Sequence, residues 1–143
     1  MDSDEVLQLY NTNHINQEYL IKLTGNTNLN EIEYLSLKID CNNQSLIDLS
    51  YYLPNLKSLI LDQSNIISLR NFGINYKNTL LTLSIRECDI YDLDGISCLS
   101  RLIELDLSDN FISDVSPLSA LEDLQVRYTI AREGVIIYIG KQV

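Results

Sequence analysis

The feature that most limits what this chain can fold into is one spacing, used four times. Leu102-Leu105-Leu107-Asn110-Ile112-Val115 has the spacing of Leu80-Leu83-Ile85-Cys88-Ile90-Leu93 and of Leu56-Leu59-Leu61-Ser64-Ile66-Leu69; a looser copy opens with Ile32-Leu35-Leu37-Asp40. The starts at 32, 56, 80 and 102 step by 24, 24 and 22 residues, and a fifth falls at Leu124. Neither a helical period nor strict alternation places all of these side chains on one side. A chain that turns once per repeat does.

Each position in the spacing then has a physical task. The fourth and sixth residues are the inward side of a short strand, because alternate side chains of a strand share a face. The ninth is where the chain leaves the strand, and an asparagine there can bond backbone groups that would otherwise be buried unpaired. Positions 11, 14, 17 and 20 line the inside of a returning segment, a 3₁₀ turn or short helix. No turn buries its own apolar edge, so about three or more must stack.

This spacing is the leucine-rich repeat, and it predicts an α/β solenoid with parallel strands on a concave face and short 3₁₀ or helical returns on the convex face. Only Asn110 is the favoured residue at position 9; the other copies carry Asp40, Ser64 and Cys88. Cys88 reads as a buried core thiol, the usual place of a free cysteine. The two 24-residue copies are expected to bulge at residues 41–45 and 73–79, both polar and loop-like.

The flanks complete the domain plan. In residues 15–25, Asn16 suits a helix N-cap, Tyr19, Leu20 and Leu23 share a helical face, and Gly25 suits the position after the last turn. This helix is expected to cap the first repeat's exposed edge. The plan is therefore a tail and capping helix over 1–31, about four repeats over 32–124, and a divergent tail or partial cap over 125–143. In that tail Arg127 stands at the position held by leucine in the other copies, and the apolar run 134–140 offers a strand for the open edge of the fourth repeat.

Charge and composition exclude several function classes. Residues 1–86 carry nine acids against six Lys plus Arg, whereas 87–123 carry ten acids and one base, Arg101. Phosphate is repelled by such a surface, so nucleic acid and anionic membrane are poor partners. No apolar run approaches membrane-spanning length and the chain opens on acidic residues, which predicts a cytoplasmic protein. Cys41, Cys88 and Cys98 are odd in number and suit reduced thiols.

Catalytic patterns are missing. His14, the single histidine, has no serine or cysteine nucleophile placed beside it, the five glycines form no phosphate-cradling loop, and no Cys/His spacing suits a metal. Asp106, Asp109 and Asp114 occupy variable repeat positions, where carboxylates make a solvated surface. The expectation is a non-enzyme without cofactor or metal.

What remains is the outward face of the strands. Position 3 holds Tyr34, Ser58, Thr82 and Glu104; position 5 holds Ser36, Ile60, Ser84 and Asp106; position 7 holds Lys38, Asp62, Arg86 and Ser108. The candidate protein-binding residues are Tyr34, Lys38, Ile60, Asp62, Arg86, Glu104 and Asp106. Tyr34 and Ile60 are the expected anchors, since aromatic and apolar side chains dominate interfaces. Lys38, Asp62 and Arg86 alternate in sign across neighbouring strands, an arrangement that mutual charge compensation explains equally well. On its own the chain is expected to be a monomer.

Two resemblances sharpen this reading. The return segments "IYDLDGISCL" and "ISDVSPLSAL" resemble the short-helix class of intracellular leucine-rich repeats, which includes a regulatory subunit of protein phosphatase 1 and a dynein light chain of motile cilia. Over residues 32–121, "IEYLSLKID" with a polar insertion, "LPNLKSLIL", "SLRNFG", "CDIYDLDGI" and "LIELDLSDNFISDVSPL" are similar to the leucine-rich repeat-containing protein 56 family. That family resemblance implies an adaptor for assembly or delivery of outer dynein arms, alongside intraflagellar transport, in the cytoplasm and the cilium or flagellum. It implies no catalysis. The broader class implies an alternative, a regulatory subunit docking on an enzyme such as a phosphatase catalytic subunit. The chain departs from the family after "SPL", where about one repeat is missing before "QVRY".

Overall fold

The structure is a computed structural model that describes residues 15–42, 45–66, 68–70, 72, 74–130 and 136–138. His14 and the tail before it lie outside the described residues. Two helices, α1 (Gln17–Thr24) and α2 (Leu46–Tyr52), accompany six strands: β1 (Tyr34–Ser36), β2 (Ser58–Ile60), β3 (Thr82–Ser84), β4 (Glu104–Asp106), β5 (Val126–Ile130) and β6 (Ile136–Tyr138). The strands form one sheet in chain order, with β1 to β5 parallel and β6 antiparallel to β5. This is an α/β leucine-rich repeat fold.

The register follows from the leucines. Leu35 faces Leu59, Leu59 faces Leu83, and Leu83 faces Leu105 across neighbouring strands. All four are at most 4% exposed. Shifting any strand by one residue would turn its leucine out to water, so the repeat spacing fixes the pairing. The backbone ladder repeats too: at position 2, the N–H groups of Lys57, Leu81, Ile103 and Gln125 each donate to the carbonyl of the equivalent residue one repeat earlier, all at 2.8 Å.

Position 9 shows how one backbone need is met by three side chains. Asn110 Oδ1 accepts from the N–H of Cys88 at 2.9 Å and of Ile90 at 3.2 Å, while its Nδ2 donates to the carbonyls of Ile85 at 2.7 Å and Leu107 at 3.0 Å. Ser64 does the accepting half alone, taking the Ile39 N–H on Oγ at 2.9 Å. Cys88 does the donating half, its thiol pointing at the carbonyls of Leu61 and Arg86 at 3.1 and 3.2 Å. Burial pushes that thiol's pKa up to about 11, which keeps it protonated and able to donate.

The chain leaves β2, β3 and β4 through the same distortion. Gln63, Glu87 and Asp109, each at position 8, have φ of 59°, 52° and 60°. Non-glycine residues in this left-handed region are uncommon. The repeat tolerates them because the flanking amides are held: Gln63 N–H donates to the Arg86 carbonyl and Glu87 N–H to the Ser108 carbonyl, at 2.8 and 3.1 Å.

The returns differ in shape. In the first repeat the return is α2, N-capped by Ser45 and burying Leu46, Leu49 and Ser50; later returns are 3₁₀ turns at Ile74–Tyr76, Ile96–Cys98 and Ser116–Ala120. Of residues 73–79, expected as a polar bulge, the described 74–79 include a core aromatic. Tyr76 is fully buried, packs edge-on against Phe72 at 5.7 Å and donates its hydroxyl to the Leu53 carbonyl at 3.1 Å. The tight turn at Gly95 has φ of 98°, and a Cβ there would sit 2.5 Å from the Leu69 carbonyl oxygen. Only glycine fits such an approach.

Helix α1 has the expected ends: Asn16 Oδ1 accepts the Tyr19 N–H at 2.9 Å and Gly25 adopts a left-handed conformation. Its Leu20 is fully buried in the common core, with Tyr19 and Ile21 packed against it. At the other end, the edge of β4 is taken by β5, in register, with Arg127 opposite Leu105. Of the run 134–140, the described strand β6 pairs with β5 and not with β4.

Candidate protein-binding surface

The outward residues of β1 to β4 stand in rows because the strands are in register. Tyr34, Ser58, Thr82 and Glu104 form one row, and Ser36, Ile60, Ser84 and Asp106 the next. With strands roughly 4.8 Å apart, each row is about 14 Å long. Tyr34 is 59% exposed and lies at one end of its row; Glu104, also exposed, lies at the other.

Ile60, expected to be an exposed anchor, is only half-buried and half-available. It is flanked by Ser36 and Ser84, whose short side chains neither cover it nor extend it. Ser108, the fourth member of the position-7 row, is buried at 6% exposure, held by Asp106 Oδ1, which accepts both its N–H and its hydroxyl. The row of three alternating charges resolves differently from a simple chain of pairs. Asp62 Oδ1 accepts the Ser84 hydroxyl at 2.6 Å and the Arg86 backbone N–H at 3.0 Å. The Arg86 guanidinium turns the other way, to Asp106 at 3.7 Å and Asp109 at 4.0 Å. Among the described residues Lys38 makes no salt bridge.

These contacts divide the seven candidates. Asp62 and Asp106 are engaged in local hydrogen bonds that shape the strand exits. Tyr34, Lys38 and Glu104 are exposed with side chains that a partner can reach. Arg86 is exposed but already pairs with two carboxylates, at distances where exposed ion pairs contribute only about 0–1 kcal/mol. No group of three or more His, Cys, Asp or Glu able to hold a metal occurs among the described residues. Nor is any described helix long and apolar enough to cross a membrane. The rows thus form a polar surface with one large aromatic, suited to non-covalent contact.

A 95-residue stretch of this chain, 66% of its length, is 41% identical to leucine-rich repeat-containing protein 56 of Mus musculus and, equally, of Homo sapiens. The chain belongs to the leucine-rich repeat-containing protein 56 family. A homologue in Trypanosoma brucei brucei is 34% identical over 115 residues, 78% of the chain. The chain spans 17% of the mouse and human proteins and 15% of the trypanosome one. No family profile matches it.

The columns of the repeat do not single out a second surface that the structure brings together. Tyr91, at position 12 of the third repeat, is 69% exposed and stacks on Phe111, at position 10 of the fourth, with ring centroids 5.1 Å apart. The signal available in the sequence was two aromatics at solvent-facing positions of adjacent repeats.

Proposed function

We propose that this chain is a non-catalytic protein-interaction module that serves as an adaptor in assembly or transport of ciliary outer dynein arms, with the outward face of β1 to β4 as its binding surface. The observation that carries the module reading is the register: side chains on strands locked by a repeated ladder form a surface whose shape is set before a partner arrives, which lowers the ordering cost of binding. The ciliary part of the reading rests on membership of the family and on the role that the family resemblance implies. The reading takes residues 32–124 as a repeat solenoid, residues 1–31 as a tail and a helix closing its first edge, and residues 125–143 as a divergent end. It places the protein in the cytoplasm and at the cilium or flagellum.

The test is proximity labelling from the full chain in ciliated cells, paired with pull-down by the wild type and by Tyr34→Ala with Arg86→Ala. Dynein-arm or intraflagellar-transport components should be captured, and the double variant should lose them without a change in melting temperature. Tyr51→Ala, on the far side at 76% exposure, should leave capture intact. Stoichiometric recovery of a phosphatase catalytic subunit in place of those components would overturn the adaptor reading in favour of a regulatory subunit.

A further inference from the structure

Past the exits of β3 and β4, outside the outward strand rows, the surface carries an exposed tyrosine stacked on a partly buried phenylalanine. Tyr91 and Phe111 lie nearly parallel, 13° apart. Phe111 is held in place by its backbone N–H, which donates to the Ile90 carbonyl at 2.9 Å. One face of the Tyr91 ring rests on Phe111, and its 69% exposure leaves the other face to water. Leaving a large ring in water forgoes the burial that stabilises a core, so a ring ordered this way at the surface is available to a partner.

The charge around it defines that partner. Glu87 and Asp92 are exposed on the same repeat as Tyr91, and Asp109 precedes Phe111 by two residues. Arg86, on this repeat, and Arg70, on the adjacent second repeat's return, are already paired: the Arg86 guanidinium lies 3.7 Å from Asp106 and 4.0 Å from Asp109, and Arg70 pairs with Asp94. The stretch 87–123 has ten acids and one base. We propose that the Tyr91–Phe111 pair is a docking site for an arginine-bearing, extended segment of a partner protein, with a guanidinium over the open face of Tyr91 and its neighbours among Glu87 and Asp92. The ring's electron-rich face attracts a cation, and guanidinium also stacks on it as a plane. Exposed carboxylates on the same repeat raise the encounter rate with a basic segment and turn away acidic ones.

The experiment uses the full chain and a fluorescent, acetylated octapeptide of alternating arginine and glycine, followed by anisotropy at two salt concentrations. Tyr91→Ala should weaken binding about two- to fivefold, whereas Tyr91→Phe, which keeps the ring, should bind within twofold of the wild type. Glu87→Gln with Asp92→Asn should weaken binding and flatten its salt dependence. Tyr51→Ala, an equally exposed tyrosine elsewhere, should change nothing. The proposal is overturned by any of four results: no binding by the wild type, equal binding of a glutamine-for-arginine peptide, equal losses from Tyr91→Ala and Tyr51→Ala, or a Tyr91-dependent dimer in sedimentation that the peptide does not compete with. None of these bears on Tyr34, so the outward strand surface stands or falls by its own test.

Discussion

Replacing Asn110 by alanine should be the most damaging loss of a polar group in this chain. The side chain is 1% exposed, and three of its hydrogen bonds, from the N–H groups of Cys88 and Ile90 and to the carbonyl of Ile85, join the third repeat to the fourth. Alanine leaves the N–H groups of Cys88 and Ile90 without the acceptor Oδ1. At about 1–3 kcal/mol for each buried donor left unpaired, the two N–H groups alone cost about 2–6 kcal/mol, before any cost from the carbonyls that lose the Nδ2 donor. Against a typical stability of about 5–15 kcal/mol, that is a large share. Ser64→Ala orphans one N–H, that of Ile39, and should cost about 1–3 kcal/mol. Urea titration followed by far-ultraviolet circular dichroism measures both. Asn110→Asp keeps the acceptor but sets a carboxylate against the Ile85 and Leu107 carbonyls, which raises its pKa in the folded state. Its penalty should therefore shrink as pH falls, once the carboxyl holds a proton that it can donate. An Asn110→Ala variant no less stable than Ser64→Ala would refute the reasoning, because it would mean that the two amides find water.

Leu105→Ala should cost about 2–5 kcal/mol and Leu105→Asp should prevent folding of the fourth repeat, while Glu104→Ala, one residue away and outward, should shift the melting temperature little; two variants that melt alike would contradict the register. Alkaline pH should weaken the fold. The Cys88 thiol, held up to about 11 by burial, keeps its proton when folded but loses it near 9 when unfolded, so its contribution is whole below pH 9 and fades towards 11. Tyr76, also raised by burial, acts in the same direction at higher pH. Thermal melts between pH 8 and 11 should show falling stability, and Cys88→Ser should reduce the slope. At pH 8 a thiol reagent should modify exposed Cys98 quickly and buried Cys88 only on unfolding.

How much of this was legible depended on whether a residue's task was set by period or by neighbours. Leu59, Leu83 and Leu105 could be aligned from the spacing alone because alternation leaves one way to bury them all. Asn16 and Gly25 announced the ends of α1 because capping is a local chemistry. The misread positions answer to contacts across repeats. Tyr76 sits in a polar stretch, yet the space behind α2 needs a ring and the Leu53 carbonyl needs a donor. Arg86 looked like one link in a row with Lys38 and Asp62, but Asp62 is satisfied by Ser84 and the Arg86 amide, which leaves the guanidinium to Asp106 and Asp109. Ile60 seemed a free anchor because the pattern gives direction and not depth. Glu87 and Gln63 are poor signals for a left-handed turn, and only the held amides on either side make them workable there.

Among the described residues, the side-chain bonds that join one repeat to the next span 20 to 27 residues, reaching the adjacent turn and no further. A disturbance at one turn must pass through each intervening interface to be felt at another, and its effect on occupancy is diluted at every step. Tyr34 in the first repeat and the Tyr91–Phe111 pair in the third and fourth have the whole second repeat between them. Filling the Tyr34 end of the strand face should leave affinity at the aromatic pair almost unchanged, with a coupling free energy near zero. If both proposed surfaces are used, a protein of this construction would hold two partners side by side without signalling between them.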